Sequence, residues 1–227
     1  MKIVILTGAG ISAESGLGTF RDEGGVWTQY DLSEVATPEG FALDPAKVHA
    51  FYNARRANAA GAQPNAAHFA IARLQAEFNG EVVLVTQNVD GLHEAAGSTA
   101  IHMHGALDRA TCAACGAFWE APLVMTAEDP CPFCEVKATR PDVVWFGEMP
   151  KALRGIDDHL SSADLFVAIG TSGQVYPAAG FVEIAKTTGA RTVEMNVEGT
   201  GNALFDQVEL GPATQSVPAW VARLLKD

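Results

Sequence analysis

The chain has 227 residues, 48% of them hydrophobic, which is enough for one full core with a small insertion. Lys and Arg total 15 against 27 Asp and Glu, and the resulting net charge of −12 disfavours non-specific nucleic-acid binding. No apolar run approaches the ~18 residues of a membrane span and no signal-peptide pattern opens the chain, so we expect a cytoplasmic protein without nucleic-acid or membrane partners.

The first predicted element is a buried parallel strand over residues 2–7, which are apolar and rich in β-branched side chains. Residues 8–13 follow with the pattern G-x-G-x-x-A, which after a strand is typical of a dinucleotide site at a helix N-terminus. A Rossmann unit normally carries an acidic residue about 20 positions later, at the end of a second strand. Here Asp31 and Glu34 lie in a polar stretch with no strand before them. The ribose contacts must therefore come from elsewhere, or the chemistry is not that of an ordinary dehydrogenase.

Apolar periodicity and capping residues predict the later elements in chain order. Helices are predicted over residues 46–60, 65–78, 181–188 and 217–226. Strands are predicted over residues 82–86, 100–105, 165–169 and 192–195. Several of these strands are followed by polar segments that contain Gly or Asn. This arrangement is typical of a doubly wound parallel sheet with one ligand crevice.

The cysteines form two close pairs with the spacing C-x2-C-x15-C-x2-C, which is typical of a tetrahedral zinc site. Four thiolates leave no open position for water, so we expect the zinc to be structural. The predicted ligands are Cys112, Cys115, Cys131 and Cys134.

Taken together, a series of short motifs resembles the sirtuins, the NAD-dependent protein lysine deacylases. The motifs are GAGIS (8–12), TFRD (19–22), TQNVDGLH (86–93), HG (104–105), both cysteine pairs, VVWFGE (143–148), GTS (170–172) and NVE (196–198). The resemblance implies an α/β fold, with a doubly wound parallel Rossmann-like sheet, a small inserted zinc-binding domain and a helical insertion. The expected bounds are 1–27, 66–106 and 149–227 for the Rossmann domain, 28–65 for the helical insertion and 107–148 for the zinc-binding domain.

The resemblance also implies the reaction and its residues. The acyl-lysine carbonyl oxygen attacks C1′ of the nicotinamide ribose, and NAD is consumed to give nicotinamide, O-acyl-ADP-ribose and free lysine. His104 is expected to be the base, since Gly105 and the family pattern select it over His102. Asn88 and Asp90 are expected to favour departure of nicotinamide. The expected NAD contacts are Gly8, Ala9, Gly10, Ile11, Ser12, Phe20, Arg21, Asp22, Trp27, Gln87, Asn88, Asp90, Gly170, Thr171, Ser172, Asn196, Val197, Glu198 and Ala213.

For the acyl-lysine substrate, the expected contacts are Tyr52, Arg55, Phe146, Gly147 and Val175. The spacing Y-x-x-R of Tyr52 and Arg55 is similar to that of the bacterial desuccinylase and demalonylase subgroup (class III), which prefers negatively charged acyl groups. An arginine can bind a carboxylate through two parallel hydrogen bonds, and a tyrosine hydroxyl can donate another. The alternative is a surface arginine beside a half-buried tyrosine.

Two other functions are compatible with parts of the sequence. An NAD-linked dehydrogenase with structural zinc explains the glycines and cysteines but not the missing acid, and it would produce reduced nicotinamide. A non-catalytic zinc-ribbon module that senses NAD or ADP-ribose would bind without turnover, and it needs no base. Within the family, ADP-ribosyl transfer to protein stays open as a minor activity.

Overall fold

A computed structural model of the chain describes residues 1–18 and 31–226. Its strands are β1 Lys2–Thr7, β2 Glu81–Thr86, β3 Ala100–His102, β4 Gly105–Cys112, β5 Phe118–Glu120, β6 Thr139–Val143, β7 Leu165–Ile169, β8 Arg191–Asn196 and β9 Gln207–Leu210. Six of them form a wholly parallel sheet in the order β3-β2-β1-β7-β8-β9. The other three form an antiparallel sheet in the order β5-β4-β6.

The helices differ greatly in length. They are α1 Leu32–Val35, α2 Pro38–Leu43, α3 Pro45–Gly61, α4 Ala66–Glu77, α5 Leu92–Ala95, α6 Leu153–Ser161, α7 Phe181–Thr187 and α8 Ala213–Leu224. The Asp44 side chain caps α3 by accepting from the Lys47 N–H, and Pro45 occupies the first turn, where its missing donor is not needed. No helix in the described part of the chain is long and apolar enough to cross a membrane.

Alternate residues of β1 point to opposite faces of the parallel sheet, and each face carries its own core. Ile3 and Ile5 join a buried cluster with residues of α4 and α8. Val4 and Leu6 join a second cluster with residues of α6 and α7. The large sheet is therefore covered by helices on both faces, as an all-parallel sheet requires.

A third buried cluster joins the helical segment to the small antiparallel sheet. It contains Phe51 and Tyr52 from α3, Leu107 from β4, and Val143 and Trp145 at and beyond the end of β6. This packing positions α3 against the segment that leaves the small sheet. The predicted domain bounds stay a prediction, although β4 to β6 all fall between residues 105 and 143.

The α/β fold class is confirmed, and two local expectations are wrong. The strand predicted over residues 100–105 ends at His102, because Met103 and His104 form a turn before β4. The glycine-rich stretch after β1 does not open an α-helix but forms two single-turn 3-10 helices, Ala9–Ile11 and Ala13–Ser15. Gly16, at φ 83°, ends the second turn in the left-handed region that glycine adopts without strain. The loop therefore presents backbone N–H groups from tight turns instead of a helix N-terminus.

Candidate active site

Two glycine-containing loops at the carboxyl edge of the parallel sheet touch each other directly. The Gly8 N–H donates to the Ile169 carbonyl at 3.0 Å, and the Gly10 N–H donates to the Gly170 carbonyl at 2.8 Å. A Cβ atom at Gly8 or at Gly10 would lie 2.7 Å from the backbone of Gly170. Any side chain at these positions would push the loops apart, so close packing requires glycine here although neither residue has a positive φ.

Several backbone donors in these loops fit the anionic pyrophosphate of a dinucleotide. Among the residues that the structure describes, the N–H groups of Ala9, Thr171 and Ser172 donate no hydrogen bond. All three residues are partly exposed, so a ligand can reach them. Unpaired N–H groups grouped at a turn attract phosphate oxygens, and the chain therefore offers the donor set that NAD needs.

A buried polar cluster lies between the first loop and the residues after β2. The Asn88 amide donates to the Gly8 carbonyl at 3.1 Å and to the Ser12 hydroxyl at 3.2 Å, and that hydroxyl donates to Asp90 at 3.1 Å. The Leu92 N–H donates to the other Asp90 oxygen. Burial raises the pKa of Asp90, against the lowering effect of these hydrogen bonds. The strand ends thus bring together two of the predicted catalytic residues, Asn88 and Asp90, and two further predicted cofactor contacts, Gly8 and Ser12.

Two histidines, His68 and His93, lie behind this cluster, and both are completely buried. His68 lies 3.4 Å from the Ser12 hydroxyl, and His93 lies 3.0 Å from the Thr7 hydroxyl. Their rings meet edge to face at 4.9 Å. Burial lowers the pKa of His68 to about 4 and that of His93 to about 3, so both are neutral near pH 7. Sequence analysis missed their contacts with the site; the only signal was the Asn65-x-x-His68 cap of α4.

His104, the predicted base, lies in the turn between β3 and β4. Its Nδ1 atom is 3.1 Å from the Gln87 carbonyl oxygen, which can only accept, so Nδ1 carries the proton and Nε2 holds the lone pair. Among the residues described, nothing hydrogen bonds to Nε2. Burial lowers the pKa of His104, against the opposing effect of the Gln87 bond. The ring is therefore a neutral, oriented base near pH 7.

The other histidine of this segment is bonded on both ring nitrogens. His102 lies 3.1 Å from the Asn88 carbonyl through Nδ1 and 3.0 Å from Glu94 through Nε2. Its ring therefore fixes the backbone of Asn88 and leaves no nitrogen for proton transfer. This supports the choice of His104 over its neighbour.

Gly105 explains why His104 lies where the two sheets meet. It has φ 80°, and a Cβ atom there would lie 2.0 Å from the Asp142 carbonyl oxygen. Only glycine permits β4 and β6 to approach so closely at this point. The Val144 N–H then donates to the His104 carbonyl at 2.9 Å, which ties the histidine backbone to the strand opposite.

The other predicted NAD contacts fall into three groups. Gln87 and Asn196 join the site, since their amides donate to the Thr171 hydroxyl and carbonyl at 3.0 and 2.9 Å. Val197 and Glu198 are exposed after β8, and Ala213 is buried at the start of α8. The remaining predictions, Phe20, Arg21, Asp22 and Trp27, lie outside the described residues.

Tyr52 and Arg55, the predicted acyl-binding pair, lie on one face of α3. Tyr52 is only 1% exposed, and its hydroxyl accepts a hydrogen bond from the Trp145 indole at 2.9 Å. The Arg55 guanidinium carbon is 5.8 Å from the centre of the Tyr52 ring. Burial lowers the pKa of Arg55, and Tyr52 and Asp90 oppose that shift, so the pair lies within electrostatic reach of the polar cluster.

Predicted contacts with the peptide backbone follow β6 and β7. Phe146 is 50% exposed and its N–H donates to the Ala36 carbonyl, whereas the Gly147 N–H has no partner among the described residues. Val175 is partly buried in the bend after the second glycine loop. Among the described residues, the Gly147 and Val175 N–H groups donate no hydrogen bond, so both can pair with an extended peptide.

The four cysteine sulfurs form one compact group in the small sheet, all within 4.8 Å of one another. The Sγ atoms of Cys112 and Cys134 are 3.7 Å apart, and those of Cys115 and Cys131 are 3.8 Å apart. A tetrahedral zinc with Zn–S distances of ~2.3 Å requires sulfurs about 3.8 Å apart. The residues present therefore fit the zinc site that the spacing predicts.

Comparison with known proteins gives concordant results. The family model described as "Sir2 family" matches residues 8–177. The chain is 58% identical to the NAD-dependent protein deacylase of Caulobacter vibrioides, across 99% of this chain and 97% of that protein. It is 52% identical to the NAD-dependent protein deacylase of Escherichia coli K12, across 99% of this chain and 82% of that protein. A solved Sir2 homologue in complex with NAD matches with a TM-score of 0.91 at 39% identity, over 99% of this chain and 90% of that one.

Proposed function

Because the chain belongs to the Sir2, or sirtuin, family, we propose that it is an NAD-dependent protein lysine deacylase. It transfers the acyl group of an acyl-lysine to ADP-ribose and releases nicotinamide and free lysine. The observation that carries this proposal is the joining of two structural features. Backbone donors that suit a dinucleotide and the oriented, neutral base His104 lie at the same edge of the parallel sheet. The chain is also matched over 99% of its length by NAD-dependent protein deacylases.

Each polar group has a role that follows from its contacts. NAD supplies, when bound, the ribose carbon that accepts the acyl oxygen and the nicotinamide that leaves. Asn88 and Asp90 present an amide and a carboxyl group from a buried cluster, where charge is poorly screened and electrostatic stabilisation is strong. His104 takes a ribose hydroxyl proton at Nε2 while Gln87 holds Nδ1–H.

The test is to incubate the protein with NAD and a peptide that bears one acyl-lysine. We expect free nicotinamide to appear in step with deacylated peptide, and no absorbance of reduced nicotinamide. Formation of reduced nicotinamide would support the dehydrogenase reading instead. Binding of NAD without any turnover would support the sensing module.

We propose that the site prefers acidic acyl groups, such as succinyl and malonyl, and that it also accepts acetyl. Tyr52 and Arg55 support this, because a partly buried guanidinium beside a tyrosine hydroxyl is suited to a carboxylate. In such surroundings each charge-assisted hydrogen bond contributes roughly 1.5–3 kcal/mol, which selects between acyl groups by tenfold or more.

Arg55→Met should abolish removal of succinyl groups while sparing or raising removal of acetyl groups. Methionine fills the space and removes the positive charge that would otherwise lie beside the acyl chain. The measurement is kcat/KM on two peptides that differ only in the acyl group. Arg73→Met, which removes an exposed arginine paired with Glu77 on α4, is the matched control and should leave both values unchanged. Equal losses on both peptides, or parental activity on both, would contradict the acyl preference.

The partners we propose are acyl-lysine segments of proteins, bound in extended form beside Gly147. The net charge of −12 suits lysine-rich segments and disfavours nucleic acid. Four cysteines kept as metal-bound thiolates suit a reducing compartment, and we propose the cytoplasm as the location.

A further inference from the structure

Two polar groups beside the Tyr52 hydroxyl, the Trp145 indole and the Arg55 guanidinium, can only donate. The Trp145 indole N–H donates to the hydroxyl at 2.9 Å, and an indole nitrogen has no acceptor capacity. The nearby guanidinium of Arg55 also carries donors alone. Among the described residues, no acceptor receives the Tyr52 proton. That proton is therefore available to an acceptor supplied by the substrate.

Both partners of the hydrogen bond between Trp145 and Tyr52 are buried. Tyr52 is 1% exposed and Trp145 is 3% exposed, so water cannot easily replace either partner. Burial also raises the pKa of Tyr52, which keeps the hydroxyl protonated and able to donate. A buried hydroxyl that accepts from one side must donate on another or lose free energy.

The Trp145 ring packs against the guanidinium of Arg140, which forms an ion pair with Glu148. Both oxygens of Glu148 bind the Arg140 guanidinium, at 2.6 and 2.9 Å, and one also accepts from the Trp145 backbone N–H at 2.8 Å. The guanidinium carbon of Arg140 lies 3.4 Å from the centre of the Trp145 ring. Phe41 packs against the ring at a centroid distance of 5.1 Å. The indole N–H therefore has a fixed direction.

We propose that Trp145 is a positioning residue that determines acyl specificity. Its indole N–H donates to the Tyr52 hydroxyl, which leaves the proton of that hydroxyl directed at the carboxylate of an acidic acyl-lysine. Arg140 and Glu148 hold the indole in the position from which it does so. This rests on the acyl preference proposed above, and it adds a residue that lies 93 positions from Tyr52 in sequence.

Trp145→Phe tests the proposal, since it removes the N–H and keeps an aromatic ring. We expect the ratio of kcat/KM for succinyl over acetyl peptide to fall about tenfold, mainly through a higher KM for the succinyl peptide. In a Tyr52→Phe background the same substitution should not change the ratio further. Trp119→Phe, in β5 and packed against Phe133, is the matched control and should keep the parental ratio.

If Trp145→Phe loses thermal stability, 3-benzothienylalanine at position 145 replaces the N–H by sulfur with nearly the same shape and should give the same fall. An unchanged ratio in both variants, while Arg55→Met loses the succinyl preference, overturns the role of Trp145 alone. An equal fall in the Tyr52→Phe background also overturns it, because the effect would then come from packing. A parent protein without succinyl preference overturns the acyl preference and this proposal together.

Discussion

His104→Ala is expected to lower kcat for deacylation by about 10²–10⁴-fold, the usual contribution of a positioned general base. The structure gives the physical reason, because Nδ1 is fixed by the Gln87 carbonyl and Nε2 keeps its lone pair. The ring is half-buried in a turn and caps no helix, so the fold and NAD binding should be retained. Single-turnover deacylation and NAD titration, measured on the same preparation, check both parts.

His102→Ala is the matched control for this experiment. Both of its ring nitrogens already contact Asn88 and Glu94, so it should lose less activity than the His104 variant. A His104 variant that keeps most of the parental activity would contradict the assignment of the base, and His102 would be the next candidate.

The pH profile gives a second, independent sign of the same base. Because burial lowers the pKa of His104, its neutral form persists below the ordinary histidine value of about 6.5. The acidic limb of kcat/KM should therefore lie below pH 6.5 and disappear in the alanine variant. A limb at higher pH would argue that another group controls the reaction.

Replacing Cys112 or Cys131 by alanine should release about one zinc per chain and destabilise the small sheet. Leu107 of β4 and Val143 of β6 are buried against α3, whereas β5 is mostly exposed, so we expect the metal to hold the cysteine-bearing end of the small sheet. Structural zinc commonly contributes ~10 kcal/mol or more of binding free energy to folding. Metal analysis and thermal unfolding of the two variants measure the effect.

Removal of the metal from the parent by a chelator, followed by addition of zinc, controls for the substitution itself. The loss of stability should reverse when zinc is restored. Metal analysis that finds no zinc in the untreated parent protein would contradict the zinc assignment.

The parallel sheet could be predicted because its strands are short apolar runs that end in polar residues. Residues 2–7 and 165–169 were predicted with the bounds that the structure has. The carboxyl ends of parallel strands share one edge, so the meeting of Gly8, Asn88 and Gly170 followed from the same pattern.

The small sheet and the third cluster could not be predicted in the same way. Pro141 lies inside β6, and proline ordinarily argues against a strand; here it is tolerated because β6 is an edge strand of the small sheet, paired with β4 on one side. The contact of Tyr52 with Trp145 depends on packing between elements far apart in sequence. The 3-10 turns after β1 were missed because the motif alone does not set the type of helix.

The most direct test of the central claim is mass spectrometry of all products after incubation with NAD and a succinyl-lysine peptide. The account predicts O-succinyl-ADP-ribose, nicotinamide and free-lysine peptide in equal amounts. Any one of three results would contradict the account: free succinate from the outset without the acylated ADP-ribose, ADP-ribose attached to the peptide, or reduced nicotinamide in place of these products.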